Sequence, residues 1–111
     1  MKVCITAQAA GLDGPVEPRF ARAPFFVFIE TGTAEIHSVA NALCGGHGGV
    51  GPRVVQFIAD YGAEALVTGR LGENAERALQ AAGIPAYAFT GETTVGGALE
   101  AFRLCALREL S

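Results

Sequence analysis

Short apolar runs alternate with amphipathic segments along this chain, and the alternation limits the fold more than any other feature. The runs are rich in β-branched and aromatic residues, as at positions 25–29, and this composition favours strands. The segments between them repeat apolar residues at helical spacing and end at glycine, as helices do. We predict strands over residues 2–6, 25–29, 34–40, 65–68 and 85–89, and helices over residues 51–62, 72–82 and from Thr93 or Thr94 onward.

The order of these elements predicts an α/β fold. Strands joined through helices pair in parallel with right-handed crossovers, whereas the hairpin over residues 25–40 adds an antiparallel strand. The result is a mixed five-stranded sheet with three helices on its faces. In such sheets ligands bind beside the carboxyl ends of the parallel strands, which fall here at residues 6–8, 68–70 and 90–92.

Composition and length indicate one globular domain over residues 1–111. Half of the residues are apolar and 17% are charged, as in folded chains. The net charge is −3 and there is no basic run, so nucleic acid is disfavoured as a partner. No segment approaches the roughly 20 apolar residues of a membrane span, and the N-terminal apolar run is too short for a signal peptide. We therefore expect a cytoplasmic protein that does not act at a membrane.

The three cysteines have no framework spacing, which argues against disulfides and for reduced thiols. Cys4 lies in an apolar strand run and is predicted to be a core thiol. Cys105 shares the apolar face of the last predicted helix and is also expected in the core. Cys44 opens a glycine-rich loop and is expected to be the accessible thiol.

That loop, residues 44–53, is the strongest candidate for a ligand site. Five of its ten residues are glycine, and Cys44 and His47 stand at a Cys-x-x-His spacing. Thiolate and imidazole bind soft and borderline metals, glycines let backbone N–H groups approach a ligand, and the helix predicted to follow favours an anion at its N-terminus. We predict Cys44 and His47 as metal ligands, and Gly48, Gly49 and Gly51 as cofactor-binding residues.

The same loop has an ordinary interpretation, a glycine-rich connector that binds nothing. A closed zinc site needs four ligands, and no second pair stands at a suitable spacing. The loop is not a P-loop either, because Arg53 follows a proline where that motif has its glycine and lysine. The sequence leaves both interpretations open.

A second loop carries basic residues. Residues 7–24 contain three prolines and two glycines, which excludes a long regular element, and loops of this length in small domains are often functional. Arg19 and Arg22 lie in this loop and are predicted to neutralise an anion. The alternative is that both are solvated surface arginines.

Ordered motifs extend over nearly the whole chain. They lie at residues 11–13 (GLD), 16–26 (VEPRFARAPFF), 41 with 47–52 (HGGVGP), 68–75 (TGRLGENA), 82–85 (AGIP) and 93–99 (TTVGGAL). Together they resemble the dinitrogenase iron–molybdenum cofactor biosynthesis domain family. The chain departs from that pattern at Arg19, where histidine is frequent in the family, and Cys44 is a candidate to replace that ligand position.

The resemblance implies a ribonuclease-H-like α/β fold and a non-enzymatic role in nitrogen-fixation cofactor chemistry. It implies that the protein binds, carries or inserts an iron–sulfur or iron–molybdenum cluster, with metallocofactor assembly or acceptor proteins as partners. Such clusters are anionic, so Arg19, Arg22 and Arg70 would supply counter-charge. One or two protein ligands would also release a cargo more readily than four.

Two alternative functions were weighed against a cluster carrier. A nuclease needs several carboxylates at strand ends, but the first strand offers Cys4, Thr6 and Gln8 there, so this activity is disfavoured. A metal-free regulatory or interaction domain that binds a small anion or a protein partner is the stronger alternative, because the predicted ligands are few.

Overall fold

Six strands and three helices form over residues 1–42, 50–91 and 93–110, which are the residues that this computed structural model describes. None of these helices has the length and apolar character needed to cross a lipid bilayer. The strands are β1 (Lys2–Ala7), β2 (Phe25–Glu30), β3 (Glu35–Ala40), β4 (Ala65–Thr68), β5 (Ala86–Ala88) and β6 (Arg108–Glu109), and the helices are α1 (Val50–Asp60), α2 (Glu73–Ala82) and α3 (Val95–Arg103).

The described strands make one sheet in the order β3-β2-β1-β4-β5-β6. β1 lies near its centre and pairs antiparallel with β2 and parallel with β4. β4 and β5 are parallel, while β2 and β3 form the antiparallel hairpin. A mixed sheet with three helices confirms the predicted α/β fold class.

The predicted number of five strands is wrong, because the described chain adds β6 to the sheet edge. Tyr87 lies opposite Glu109 in this antiparallel pair, and the Leu110 amide donates to the Ala86 carbonyl at 2.7 Å. Arg108 and Glu109 form β6; a basic residue at this position would equally suit the end of the last predicted helix. Arg108 and Glu109 show no apolar periodicity in the sequence that would predict a strand. They form a strand because they pair with β5.

The sheet separates two apolar cores. On one face α1 and α2 pack through Val54, Ile58 and Leu79 against residues such as Phe26. On the other face α3 packs through Val95 and Ala98. Burial on both faces explains why β1, β2 and β4 are continuous apolar runs.

α2 ends and α3 begins at the capping residues that the sequence predicts. Gly83 follows α2 with φ 73°, a left-handed conformation that glycine adopts without strain. Thr94 is the N-cap of α3, and its side chain accepts a hydrogen bond from the Gly97 amide at 3.1 Å. Helical spacing places Ala82 on the inner face of α2, but this residue is exposed, because it is the last of the helix. Tyr61 follows α1 and is 39% exposed, yet its ring stacks on Phe28 of β2, so it faces the sheet as helical spacing predicts.

The two described cysteines differ from each other in exposure. Cys4 is fully buried in β1 as predicted, and burial raises the pKa of its thiol. The prediction for Cys105 is wrong, because this residue is exposed. α3 ends at Arg103, and Cys105 follows in a left-handed conformation with φ 57°, so the apolar face of the helix stops before it. Cys44 lies outside the described residues.

Exposure predicts the order in which the thiols react. In a Cys44→Ser variant under native conditions, we expect iodoacetamide to modify Cys105 and to leave Cys4 unmodified, since the thiolate is the nucleophile and Cys4 is buried with a raised pKa. Mass spectrometry of peptides after brief labelling measures this order. Modification of Cys4 at the rate of Cys105 would contradict the buried position of β1.

Candidate functional site

The loop that precedes β2 is hydrogen-bonded to the carboxyl end of β4. The amides of Gly69 and Arg70 both donate to the Pro18 carbonyl, at 3.1 and 2.7 Å. A Cβ at Gly69 would lie 2.6 Å from the Pro18 Cα, so only glycine permits this approach. The contact places Arg19 beside Arg70, and the two residues form a parallel backbone bridge.

The buried hydroxyls of two threonines form hydrogen bonds that hold the loop in place. The Thr6 hydroxyl donates to the Glu17 carbonyl at 2.6 Å, and the Thr6 and Thr68 oxygens lie 2.9 Å apart. Both threonines are fully buried at the ends of β1 and β4, where an unmatched hydroxyl would be costly. They are therefore committed to holding the loop and are not available to a substrate.

Glu17 and Arg19 form an ion pair within the loop. The Glu17 side chain is 5% exposed and the Arg19 side chain 55%. The Glu17 carboxylate accepts hydrogen bonds from the Arg19 Nε at 3.1 Å and from the Arg19 amide at 3.0 Å. Donation by the Arg19 side chain is the main cause that lowers the Glu17 pKa, and it outweighs the opposing effect of burial. Glu17 thus positions the Arg19 guanidinium at the surface.

Asn41 fastens the part of the loop that carries Arg22. Its side-chain amide donates to the carbonyls of Ala21 and Ala23, at 3.2 and 2.8 Å, and its backbone amide donates to the Pro24 carbonyl at 2.9 Å. Sequence reasoning did not predict this role for Asn41, nor the role of Glu17. The Asn41 partners lie 20 and 18 residues away in the sequence, so only the folded chain brings them within reach. Arg19 lies two residues from Glu17, a spacing at which the sequence could have suggested the pair.

A cleft of about 470 Å³ opens beside this loop. It brings together four of the predicted cofactor-binding residues, Arg19, Arg22, Gly51 and Arg70. The predicted residues Cys44, His47, Gly48 and Gly49 lie outside the described residues. The remaining described lining residues are Phe20, Ala21, Pro52, Leu71, Gly72, Glu73, Asn74 and Ala75.

The first turns of α1 and α2 meet in the cleft. A Cβ at Gly51 would lie 3.2 Å from the Ala75 Cβ, so glycine allows the two helices to start close together. The first turn of α1 contains no acidic residue, and Gly72 gives α2 no side-chain cap. Helix N-termini carry positive potential from unpaired N–H groups. The cleft therefore combines two such termini with three guanidinium groups, an arrangement suited to an anion.

α3 differs from the other two helices at its N-terminus. Thr94 caps it, and the amides of Val95 and Gly96 donate to the carbonyls of Gly14 and Leu12, at 3.0 and 2.8 Å. The protein itself therefore satisfies these donors. Among the described helices, α1 and α2 are therefore the better candidates for binding an anion at their N-termini.

Metal-ligating side chains are sparse in the part of the chain that the structure describes. No three or more His, Cys, Asp or Glu residues cluster there at distances that suit a metal ion. Glu73 is the sole acidic residue among the described residues that line the cleft. His37, expected to be an exposed strand histidine, is exposed on β3, and its ring stacks on Tyr61 at 6.1 Å.

A family model, dinitrogenase iron-molybdenum cofactor, matches residues 1–104. The chain belongs to this family. The match extends over the loop, both helix N-termini and the strand ends that form the cleft, so the resemblance predicted from the motifs is confirmed. Among curated proteins, none matches the sequence.

Two solved structures are similar over almost the whole chain. The apo form of the orange protein from Desulfovibrio gigas is 36% identical, with a TM-score of 0.93 over 99% of this chain and 92% of that one. A candidate NifB protein from Thermotoga is 37% identical, with a TM-score of 0.85 over 98% of this chain and 92% of that one.

The Gly69–Pro18 contact predicts a large effect from a small substitution. Gly69→Ala should lower the free energy of unfolding by about 1–3 kcal/mol, because the new Cβ meets backbone atoms that cannot move aside. Gly72→Ala is the matched control, since a Cβ there meets nothing within 4 Å and φ −74° suits alanine. The poorer N-cap is there roughly offset by the lower freedom of the unfolded chain, about 0.4–1 kcal/mol. Urea unfolding followed by circular dichroism measures both, and equal effects would contradict the contact.

The lowered pKa of Glu17 predicts a dependence of stability on pH. The ionised carboxylate stabilises the fold above the ordinary glutamate pKa, and this contribution is lost as pH falls towards the lowered value in the folded state. Glu17→Gln should therefore cost about 1–3 kcal/mol at neutral pH and reduce the loss of stability in acid. Urea unfolding between pH 7 and pH 3 tests this, with Glu100→Gln on the exposed side of α3 as the control. An unchanged acid dependence in Glu17→Gln would contradict the role of the pair.

Proposed function

We propose that this protein is a non-enzymatic carrier that binds an anionic metal cluster of the iron–sulfur or iron–molybdenum type in the cleft. The observation that carries the proposal is the convergence of Arg19, Arg22 and Arg70 on the first turns of α1 and α2. Guanidinium groups and helix N-termini stabilise negative charge without forming a bond to the cargo. Binding of this kind is reversible, as delivery of a cluster requires.

Family membership supports a metallocluster as the cargo. The matching family is that of the dinitrogenase iron-molybdenum cofactor, and the similar orange protein was solved in an apo form, the form that lacks a bound group. A candidate NifB protein is equally similar in sequence. On these grounds we propose assembly or acceptor proteins as partners, a cytoplasmic location where thiols stay reduced, and a ribonuclease-H-like classification of the fold.

Cys44 and His47 remain the predicted protein ligands of the cluster. Cluster irons accept thiolate and imidazole ligands, and both residues precede α1 by a few positions in the sequence. The amino end of α1 lines the cleft through Gly51 and Pro52. In this proposal the arginines hold the charge of the cluster while Cys44 and His47 bind its metal.

The chemistry of the described lining agrees with carriage more than with catalysis. Thr6 and Thr68 are buried and hydrogen-bonded beneath the loop, and Glu17 is held by Arg19. General acid–base chemistry needs a positioned group that can exchange a proton with a substrate. Glu73 is the single carboxylate among the described lining residues, so a catalytic pair of carboxylates is not formed by them.

A metal-free domain that binds a small anion is the second candidate. The observation that favours it is that arginines and helix N-termini among the described lining residues supply positive charge without a metal, while no cluster of three metal-ligating side chains is found among the described residues. Such a domain would recognise its ligand by charge alone.

Anaerobic titration separates the two candidates. We expect iron and sulfide, added without oxygen, to give a protein-bound visible absorption in the wild type. Cluster binding should weaken about two- to tenfold in each of the variants Arg19→Ala, Arg22→Ala and Arg70→Ala. This range is the effect expected from losing one charge contact that is exposed or partly buried. Arg103→Ala on α3 is the control and should bind as the wild type does. Cys44→Ala and His47→Ala should change the absorption spectrum, because they remove metal ligands.

The outcomes are distinct. Molybdate binding that depends on the three arginines, without any cluster uptake, would favour the metal-free candidate. Cluster uptake that is identical in wild type and in the triple arginine variant would overturn the cleft as the site. Unchanged spectra in Cys44→Ala and His47→Ala would overturn these residues as ligands and leave the cleft in place.

A further inference from the structure

Glu73 stands out in the cleft because it opposes the charge of its surroundings. It is the sole acidic residue among the described lining residues, which include Arg19, Arg22 and Arg70. It is also the first residue of α2, where a carboxylate partly cancels the positive potential of the helix N-terminus. A cleft built only for tight anion binding would be weakened by such a residue.

Arg77 holds the Glu73 carboxylate on the outer surface of α2. Its guanidinium donates to the Glu73 Oε1 at 2.7 Å, and the two side chains are 68% and 82% exposed. An exposed pair one helical turn apart is weak. Arg77 therefore reduces the negative charge that Glu73 presents to the cleft without removing it.

We propose that Glu73 is a specificity-determining residue of the cleft and that Arg77 is a positioning residue acting through it. This inference rests on the proposed function, since it concerns the same site. Glu73 lowers the affinity for small, charge-dense oxyanions such as phosphate. Three guanidinium groups and two helix N-termini would otherwise hold such ions well, and they would compete with the cargo.

Metallocluster anions are affected less than phosphate or molybdate by the same carboxylate. A cluster spreads its charge over more atoms, so repulsion from one carboxylate at the rim is smaller. Repulsion of the wrong ligand is a general way to gain specificity. Glu73 thus separates metallocluster anions from simple oxyanions at a small cost in affinity.

Four proteins form the test, namely wild type, Glu73→Gln, Arg77→Ala and the double variant. Calorimetric titration with inorganic phosphate and with molybdate at low salt should show Glu73→Gln binding about two- to fivefold tighter, the effect of one exposed charge. Arg77→Ala should bind about twofold more weakly, because the carboxylate loses its partner. In the double variant the loss of Arg77 should have no further effect, since the residue acts through Glu73.

Glu76→Gln is the matched control. Glu76 also lies in the first turn of α2 but does not line the cleft, so its loss should leave both affinities unchanged. Cluster uptake, measured by visible absorption, should change less than phosphate binding in Glu73→Gln. Thermal unfolding of each variant confirms that it is folded.

The results test this inference separately from the proposed function. The specificity role of Glu73 is overturned if Glu76→Gln tightens oxyanion binding as much as Glu73→Gln does. It is also overturned if Arg77→Ala weakens oxyanion binding equally in the wild type and in Glu73→Gln. Either result would mean that these residues act only through long-range charge. If all the proteins bind oxyanions alike, this inference fails while the proposed function stands. If no protein, Glu73→Gln included, binds any oxyanion while cluster uptake still depends on the three arginines, this inference fails and the proposed function stands. If cluster uptake is absent as well, both proposals fail.

Discussion

The hydrogen bonds from the Gly69 and Arg70 amides to the Pro18 carbonyl hold the candidate site together. They attach a loop rich in proline to the end of a central strand, and the absence of a Cβ at Gly69 is what lets the two backbones meet. Arg19 follows Pro18 directly, so its guanidinium starts from a backbone that the sheet holds in place. Burial of the Thr6 and Thr68 hydroxyls beneath the loop adds to this constraint, since neither can lose its partner without cost.

Charge in the cleft is arranged by backbone and side chains together. The helix N-termini contribute potential that is fixed by the fold, whereas the arginines contribute charge on exposed side chains. Glu17 holds the Arg19 side chain by an ion pair within the loop. An arrangement of this kind is suited to a ligand chosen by its negative charge.

Two observations support different parts of the proposed function. Membership of the dinitrogenase iron-molybdenum cofactor family supports a metallocluster as the proposed cargo. The cleft supports the proposed means of binding, because Arg19, Arg22 and Arg70 come from two loops that meet beside two helices. The proposal of a reversible carrier needs both, since the family suggests the cluster and the charge arrangement suggests release.

Local patterns in the sequence determined most of the secondary structure. The strand runs, the glycine at the end of α2, the Thr94 cap and the Glu73–Arg77 pair depend on residues a few positions apart, and all are present. The same reasoning failed at Cys105, because α3 ends at Arg103, two residues earlier, and its periodicity no longer applies there. It also failed at β6, where two charged residues join the sheet only through pairing with β5.

The sequence by itself also determined which residues carry suitable chemistry, including the arginines and the glycine-rich stretch. Only the tertiary structure decided which of them share a site. Arg19 and Arg70 are neighbours because parallel strands bring β1 and β4 together and Pro18 then meets Gly69. The partners of Asn41 were equally hidden, since they are backbone carbonyls about 20 residues away that carry no sequence signal. Long-range backbone pairing, which no local pattern encodes, is the physical reason that the site exists.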